Sequence, residues 1–144
     1  MIKNAVAQLI KRHRTNNPYE IASQKNIKVL FEQLGDMMGY FNTYKRMVFI
    51  HINCNMDEND QKFTCAHELG HVILHPKVNT PFLRRNTLFS IDRIEKEANL
   101  FAVELILLDA LIQEHRNSNT SIFDVAEYYG VPKELAHLKK INKF

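Results

Sequence analysis

Two histidines and a glutamate stand close together in the run Phe63-Thr64-Cys65-Ala66-His67-Glu68-Leu69-Gly70-His71-Val72-Ile73-Leu74-His75. Residues four apart on an α-helix lie about 40° apart on one face, so His67 and His71 can point two imidazoles at a single ion. Glu68 is rotated about 60° further round from His71. That position suits a carboxylate that touches a metal-bound water rather than the metal. The chemistry such a set serves is metal-assisted hydrolysis. Water held by zinc has its pKa lowered from about 16 toward about 7, and Glu68 takes the proton and later returns it to the leaving group. The opposite face, Cys65, Ala66, Leu69, Val72 and Ile73, is apolar and is expected to bury the helix. Gly70 sits mid-helix, where it costs about 1 kcal/mol relative to Ala; close approach of another backbone would explain it.

A catalytic zinc takes three protein ligands and keeps one position for water. On a second helix Glu97 shares a stripe with Ile94, Ala98, Phe101, Leu105 and Leu108. A carboxylate on an apolar stripe is costly unless it is paired or metal-bound. Glu97 is therefore the favoured third ligand. Glu104, two turns along and about 20° away, is its rival, and Glu95 is expected to face solvent. An ion pair at the core edge is the alternative use of Glu97. For an oxyanion donor or an outer support the candidates are His75, His51, Tyr40 and Tyr44, among which spacing does not choose. His75 lies about 80° round from His67 and borders the metal face.

Several elements must position these residues. Helices are expected over residues 2–13 and from Pro18 to about Gln24, where Pro18 can open the second. Strands are expected at Ile27–Phe31, Gly39–Tyr44 and Met47–Asn53, forming a small antiparallel sheet. In the last strand Met47, Phe49 and His51 share one face, with Val48, Ile50 and Ile52 on the other. The end of that strand could offer an edge to an extended substrate. Asp57 or Asn59 can cap the metal helix, and His75-Pro76 ends it. Residues 76–91 form a loop in which Arg84 and Arg85 are candidates for substrate contact. Asp92 can cap the second long helix, expected from about Arg93 to Leu108. Ser121 can cap a helix ending at Gly130, and Pro132 opens a last helix to about Ile141. The fold class is α+β: a three-stranded sheet on a zincin-like helical core with a C-terminal helical segment.

At 144 residues and 45% hydrophobic content, one domain over 1–144 is expected, with a catalytic core at 1–110 and the helical segment at 111–144. The net charge of +3 permits an acidic partner without demanding nucleic acid or a lipid surface. No apolar run is long enough for a membrane span, and no export segment stands at the N-terminus. Cys54 and Cys65 make no disulfide framework. A cytoplasmic location is expected; oligomeric state is not readable from the sequence.

The metal-helix run from Gln61 to His75, the later run Glu95-Lys96-Glu97-Ala98-Asn99-Leu100-Phe101-Ala102-Val103-Glu104-Leu105, and the strand Val48–Asn53 together resemble the ImmA/IrrE family of zinc metallopeptidases, which are gluzincin-like. The resemblance spans roughly residues 18–108. It implies that His67, His71 and the glutamate before Ala-Asn-x-Phe-Ala, Glu97, bind one zinc ion and that Glu68 is the catalytic base. It also implies a substrate class: a helix-turn-helix repressor, often of a phage or mobile element, whose cleavage relieves repression. One departure is visible. Asp109 follows Leu107-Leu108 where the family often has proline, which bears on where the second helix ends.

Two other functions compete. Residues 121–140 have a helix-turn-helix cadence that could bind DNA. Asp124, Glu127 and Glu134 dilute the charge that phosphate contact needs, so direct nucleic-acid binding is not favoured. The other reading is a non-catalytic metal-binding regulator that sequesters a partner protein; Glu68, a base already in place, argues against it.

Overall fold

The computed structural model describes residues 1–77, 88–115 and 120–139. Helices α1 (Ile2–His13) and α2 (Pro18–Gln24) lead into strands β1 (Lys28–Glu32), β2 (Gly39–Tyr44) and β3 (Met47–Asn53). Helices α3 (Glu58–Leu74), α4 (Leu88–Ile106), α5 (Asp109–Glu114) and α6 (Ile122–Tyr128) follow, and a 3-10 helix, Lys133–Leu138, closes the described chain. Among the described residues no helix is long and apolar enough to cross a membrane.

The fold is α+β, as the pattern of elements implies, but the sheet is mixed rather than antiparallel. Its order is β1-β3-β2, with β3 parallel to β1 and antiparallel to β2. The tight turn at Lys45 and Arg46, both at positive φ, makes β2 and β3 a hairpin. The short reversal between β1 and β2 leaves a gap that β3 fills, so β3 must run with β1. As the central strand β3 has no free edge. The outer strands are β1 and β2, and of these β2 packs against α3.

Alternation along β3 places Ile50 and Ile52 in the core, where both are fully buried. There they join Phe41, Cys65, Ala66, Leu69, Phe101 and Leu105 between the sheet, α3 and α4. Asp57 caps α3 by accepting from the Asp60 N–H at 2.8 Å. Pro76 cannot continue that helix. Gly70 is where α4 presses on α3: a Cβ there would lie 2.9 Å from Phe101 Cδ1. The close neighbour is thus an aromatic side chain, not a second backbone.

α4 begins at Leu88, a full turn earlier than Asp92 capping would put it. It ends at Ile106, and Leu108, in extended conformation, starts α5. Ile141, where the last helix is expected to end, lies outside the described residues; the last element within them is a 3-10 helix rather than an α-helix. Its end is drawn into the core by Lys139, whose ammonium lies 2.5 Å from Glu104 Oε1 and 2.7 Å from Asp109 Oδ1. Lys3 of α1 also reaches Asp109, at 3.0 Å. The Lys139 and Glu104 side chains are each only 2% exposed, so Glu104 is engaged as an ion-pair partner rather than as a ligand.

Removing one member of this clasp strands a buried charge. Lys139→Met is expected to destabilise the protein by about 3–5 kcal/mol, and Lys139→Met with Glu104→Leu to regain most of it. Denaturant unfolding of the three proteins checks this, and a single variant as stable as wild type would refute it. Burial pushes the Asp109 carboxyl up, but hydrogen bonds from Lys139 and Lys3 outweigh that and hold it below its ordinary value. Its stabilisation is present above the unfolded pKa of about 3.9 and is lost as pH falls through the depressed folded value.

Candidate metal centre and active site

Helix α3 delivers His67 and His71 one turn apart, as the period requires, and both Nε2 atoms converge, 3.1 Å from each other. The carboxylate that meets them is Glu95. Its Oε2 lies 3.0 Å from His67 Nε2 and its Oε1 3.0 Å from His71 Nε2. One donor atom from each of these three residues falls within 4.8 Å of the others, the arrangement a metal ion needs. Donors around a tetrahedral zinc with bonds of about 2.0–2.1 Å stand roughly 3.3 Å apart. The 3.1 Å between the two imidazole nitrogens is close to that spacing, and the donor set of two imidazoles and a carboxylate suits the ion.

Glu97 is not in this cluster, and Glu95 does not face solvent. Residues two apart on a helix point about 200° apart, so only one of the pair can meet His67 and His71. The two flank buried Ala98 on either side. Glu95 turns toward the α3 histidines, whereas Glu97 reaches His75 Nε2 at 3.0 Å and Arg93 at 3.7 Å. The stripe through Ile94 and Leu105 misleads because the second half of α4 is buried nearly all round. It therefore does not mark which side of the first half meets α3.

Each histidine has a second partner. His67 Nδ1 donates to Asn99 Oδ1 at 2.8 Å, which orients the ring with Nε2 toward the cluster. Asn99 was not singled out from the sequence, although its position one turn after Glu95 on the same face would have marked it. His71 is buried, its ring stacks on Phe41 with centroids 6.2 Å apart, and its Nδ1 faces His75 Nδ1 at 3.3 Å. Glu68 is buried beside the cluster, its Oε2 3.9 Å from His67 Nε2.

The groups of the cluster shift one another's ionisation. Burial disfavours the Glu95 carboxylate, but hydrogen bonds from His67 and His71 outweigh that and hold it well below the usual carboxylate range. Burial also disfavours charge on His67, yet the Glu95 hydrogen bond and the Glu68 charge raise it on balance. For His71 burial prevails over Glu95 and its pKa falls. Cys65, on the core face of α3, has its thiol pushed up to about 12, first by burial and then by Glu68. It stays a protonated core residue.

The cluster opens on a cleft of about 430 Å³. One wall is the segment before β2, with Asp36, Met37 and Met38, and the other includes Pro132 and Leu135 of the C-terminal segment. Asn53 fixes the first wall: its buried side-chain amide donates to Gly35 O at 3.0 Å and Met37 O at 2.9 Å. The second wall uses the residues that a DNA-reading helix would have to present to a groove. Ala136 is buried in the core as well.

His51 and Tyr40 lie away from the cleft. They occupy the sheet face opposite buried Ile50, stacked on each other with centroids 4.3 Å apart. His51 also contacts Glu32 and Asn42. Strand alternation decides this, since Ile50 and Ile52 face α3 and His51 must face outward. Tyr44, at the far end of β2, is exposed. Arg84 and Arg85 lie outside the described residues.

The sequence model of the IrrE N-terminal-like domain family matches residues 22–139. Over 144 residues the chain is 47% identical to uncharacterized immunity region protein 2 of Bacillus phage phi105, covering 99% of this chain and 91% of that protein. Over 142 residues it is 37% identical to metallopeptidase ImmA of Bacillus subtilis (strain 168), covering 96% of this chain and 83% of that protein.

Proposed function

Because the chain belongs to the IrrE N-terminal-like domain family of metallopeptidases, we propose that it is a zinc-dependent endopeptidase that cuts a regulatory protein. The substrate class is a helix-turn-helix repressor, and the outcome of the cut is relief of repression. The observation that carries the chemistry is the convergence of His67, His71 and Glu95 donors beside buried Glu68. The substrate class rests on the resemblance and on the phage immunity-region protein to which the chain is similar.

His67, His71 and Glu95 would hold the ion, which would supply a Lewis acid and acidify water. Glu68 accepts the proton of the attacking water and hands it to the departing amine. The free edge of β2, entering the cleft at Gly39, hydrogen-bonds an extended peptide as an added strand. Met37, Met38 and Leu135 give the cleft apolar walls beside the reacting bond.

The test is to incubate the full chain with helix-turn-helix repressors of the same genome. With zinc, a single new cut is expected. With the ion removed by a chelator, cleavage should fall to background and return when zinc is restored. Cleavage that survives complete metal removal would refute the proposal.

A further inference from the structure

The three groups around His71 form a chain that leads away from the metal centre. His71 Nε2 points into the cluster, its Nδ1 lies 3.3 Å from His75 Nδ1, and His75 Nε2 lies 3.0 Å from Glu97 Oε1. The rings of His71 and His75 are 5.5 Å apart and inclined at 52°, so the nitrogens rather than the ring faces meet. His75 is the C-cap of α3, held by its own N–H to His71 O at 2.7 Å. Its side chain is 11% exposed, so water competes little for these contacts.

With His71 Nε2 giving its lone pair to an ion, as the metal-site reading has it, hydrogen-bond polarity along this chain is fixed. A carboxylate only accepts, so His75 Nε2 carries a proton and donates it to Glu97. His71 Nδ1–H is then the donor that meets His75 Nδ1. The contacts on the Nδ1 side thus match a ligating Nε2, the atom aimed at the cluster. His67 reaches the same tautomer by donating from Nδ1 to Asn99. The two ligating histidines are thus set by different devices: an amide for His67 and a histidine–carboxylate pair for His71.

We propose that His75 and Glu97 are positioning residues for the metal centre, acting through His71 to hold its ligating tautomer and ring orientation. The inference rests on the metal-site reading above. It gives Glu97 a use other than ligation, and it explains why a helix-end histidine is turned inward. The competing account is structural: the pair only ties the end of α3 to α4.

Zinc affinity measured by competition with a chromophoric chelator separates the two. His75→Ala and Glu97→Gln are each expected to weaken zinc binding roughly 10- to 100-fold. The double variant should bind no more weakly than His75→Ala, because Glu97 acts only through His75. Glu97→Gln, nearly isosteric, serves if His75→Ala folds poorly. Affinities of both single variants within about twofold of wild type, with only thermal unfolding changed, would overturn the positioning role. If His71→Ala binds zinc as tightly as wild type, the metal site itself is wrong and both readings fall.

Discussion

Glu68→Gln is expected to keep zinc affinity within about twofold of wild type while lowering peptide cleavage roughly 10²- to 10⁴-fold. Glu68 is not one of the three converging donors; its Oε2 stands 3.9 Å from His67 Nε2, beyond the 3.0 Å at which Glu95 meets both histidines. An amide of the same shape preserves packing at this buried position but cannot take a proton from water. Parallel zinc titration and cleavage assays check the two halves. Undiminished cleavage would remove Glu68 from the mechanism. Loss of cleavage with continued inactivation of the repressor would instead support a protein that sequesters its partner.

The second large effect separates the two glutamates of α4. Four-ligand structural zinc sites are worth about 10–16 kcal/mol, or roughly 3 kcal/mol per ligand. Glu95→Ala is therefore expected to weaken zinc binding on the order of 10²- to 10³-fold and to abolish cleavage even at saturating zinc. It removes the carboxylate that bridges His67 and His71. Glu97→Ala should retain most cleavage once zinc is saturating, because its contacts are with His75 and Arg93. Cobalt substitution gives an independent reading, with the coordination spectrum changed in the Glu95 variant and kept in the Glu97 variant. The reverse ordering would restore Glu97 as the ligand.

That contrast shows where reading a sequence stops. Within one helix, relative direction follows from the 3.6-residue period. The shared face of His67 and His71, the place of Glu68 beside them and the apolar face through Cys65, Ala66 and Leu69 were therefore legible. Local chemistry also marked Ser121 as a helix cap and Asp57 as one of two candidate caps, and alternation along β3 separated Ile50 and Ile52 from His51.

Relations between elements were not legible in this way. Periodicity says that Glu95 and Glu97 point apart, but not how α4 is rotated against α3. The contact of Phe101 with Gly70 decides that, and with it the identity of the third donor. Strand pattern is the same for parallel and antiparallel neighbours, so only the insertion of β3 between β1 and β2 showed that β3 has no free edge and that β1 and β2 are the outer strands. The C-terminal segment has the cadence of a DNA-binding unit, yet the buried attraction of Lys139 to Glu104 and Asp109 folds it into a wall of the cleft. By itself the sequence determined a hydrolytic motif on an amphipathic helix. Tertiary packing decided which carboxylate completes it and which surfaces enclose it, because those depend on long-range contacts that no local period encodes.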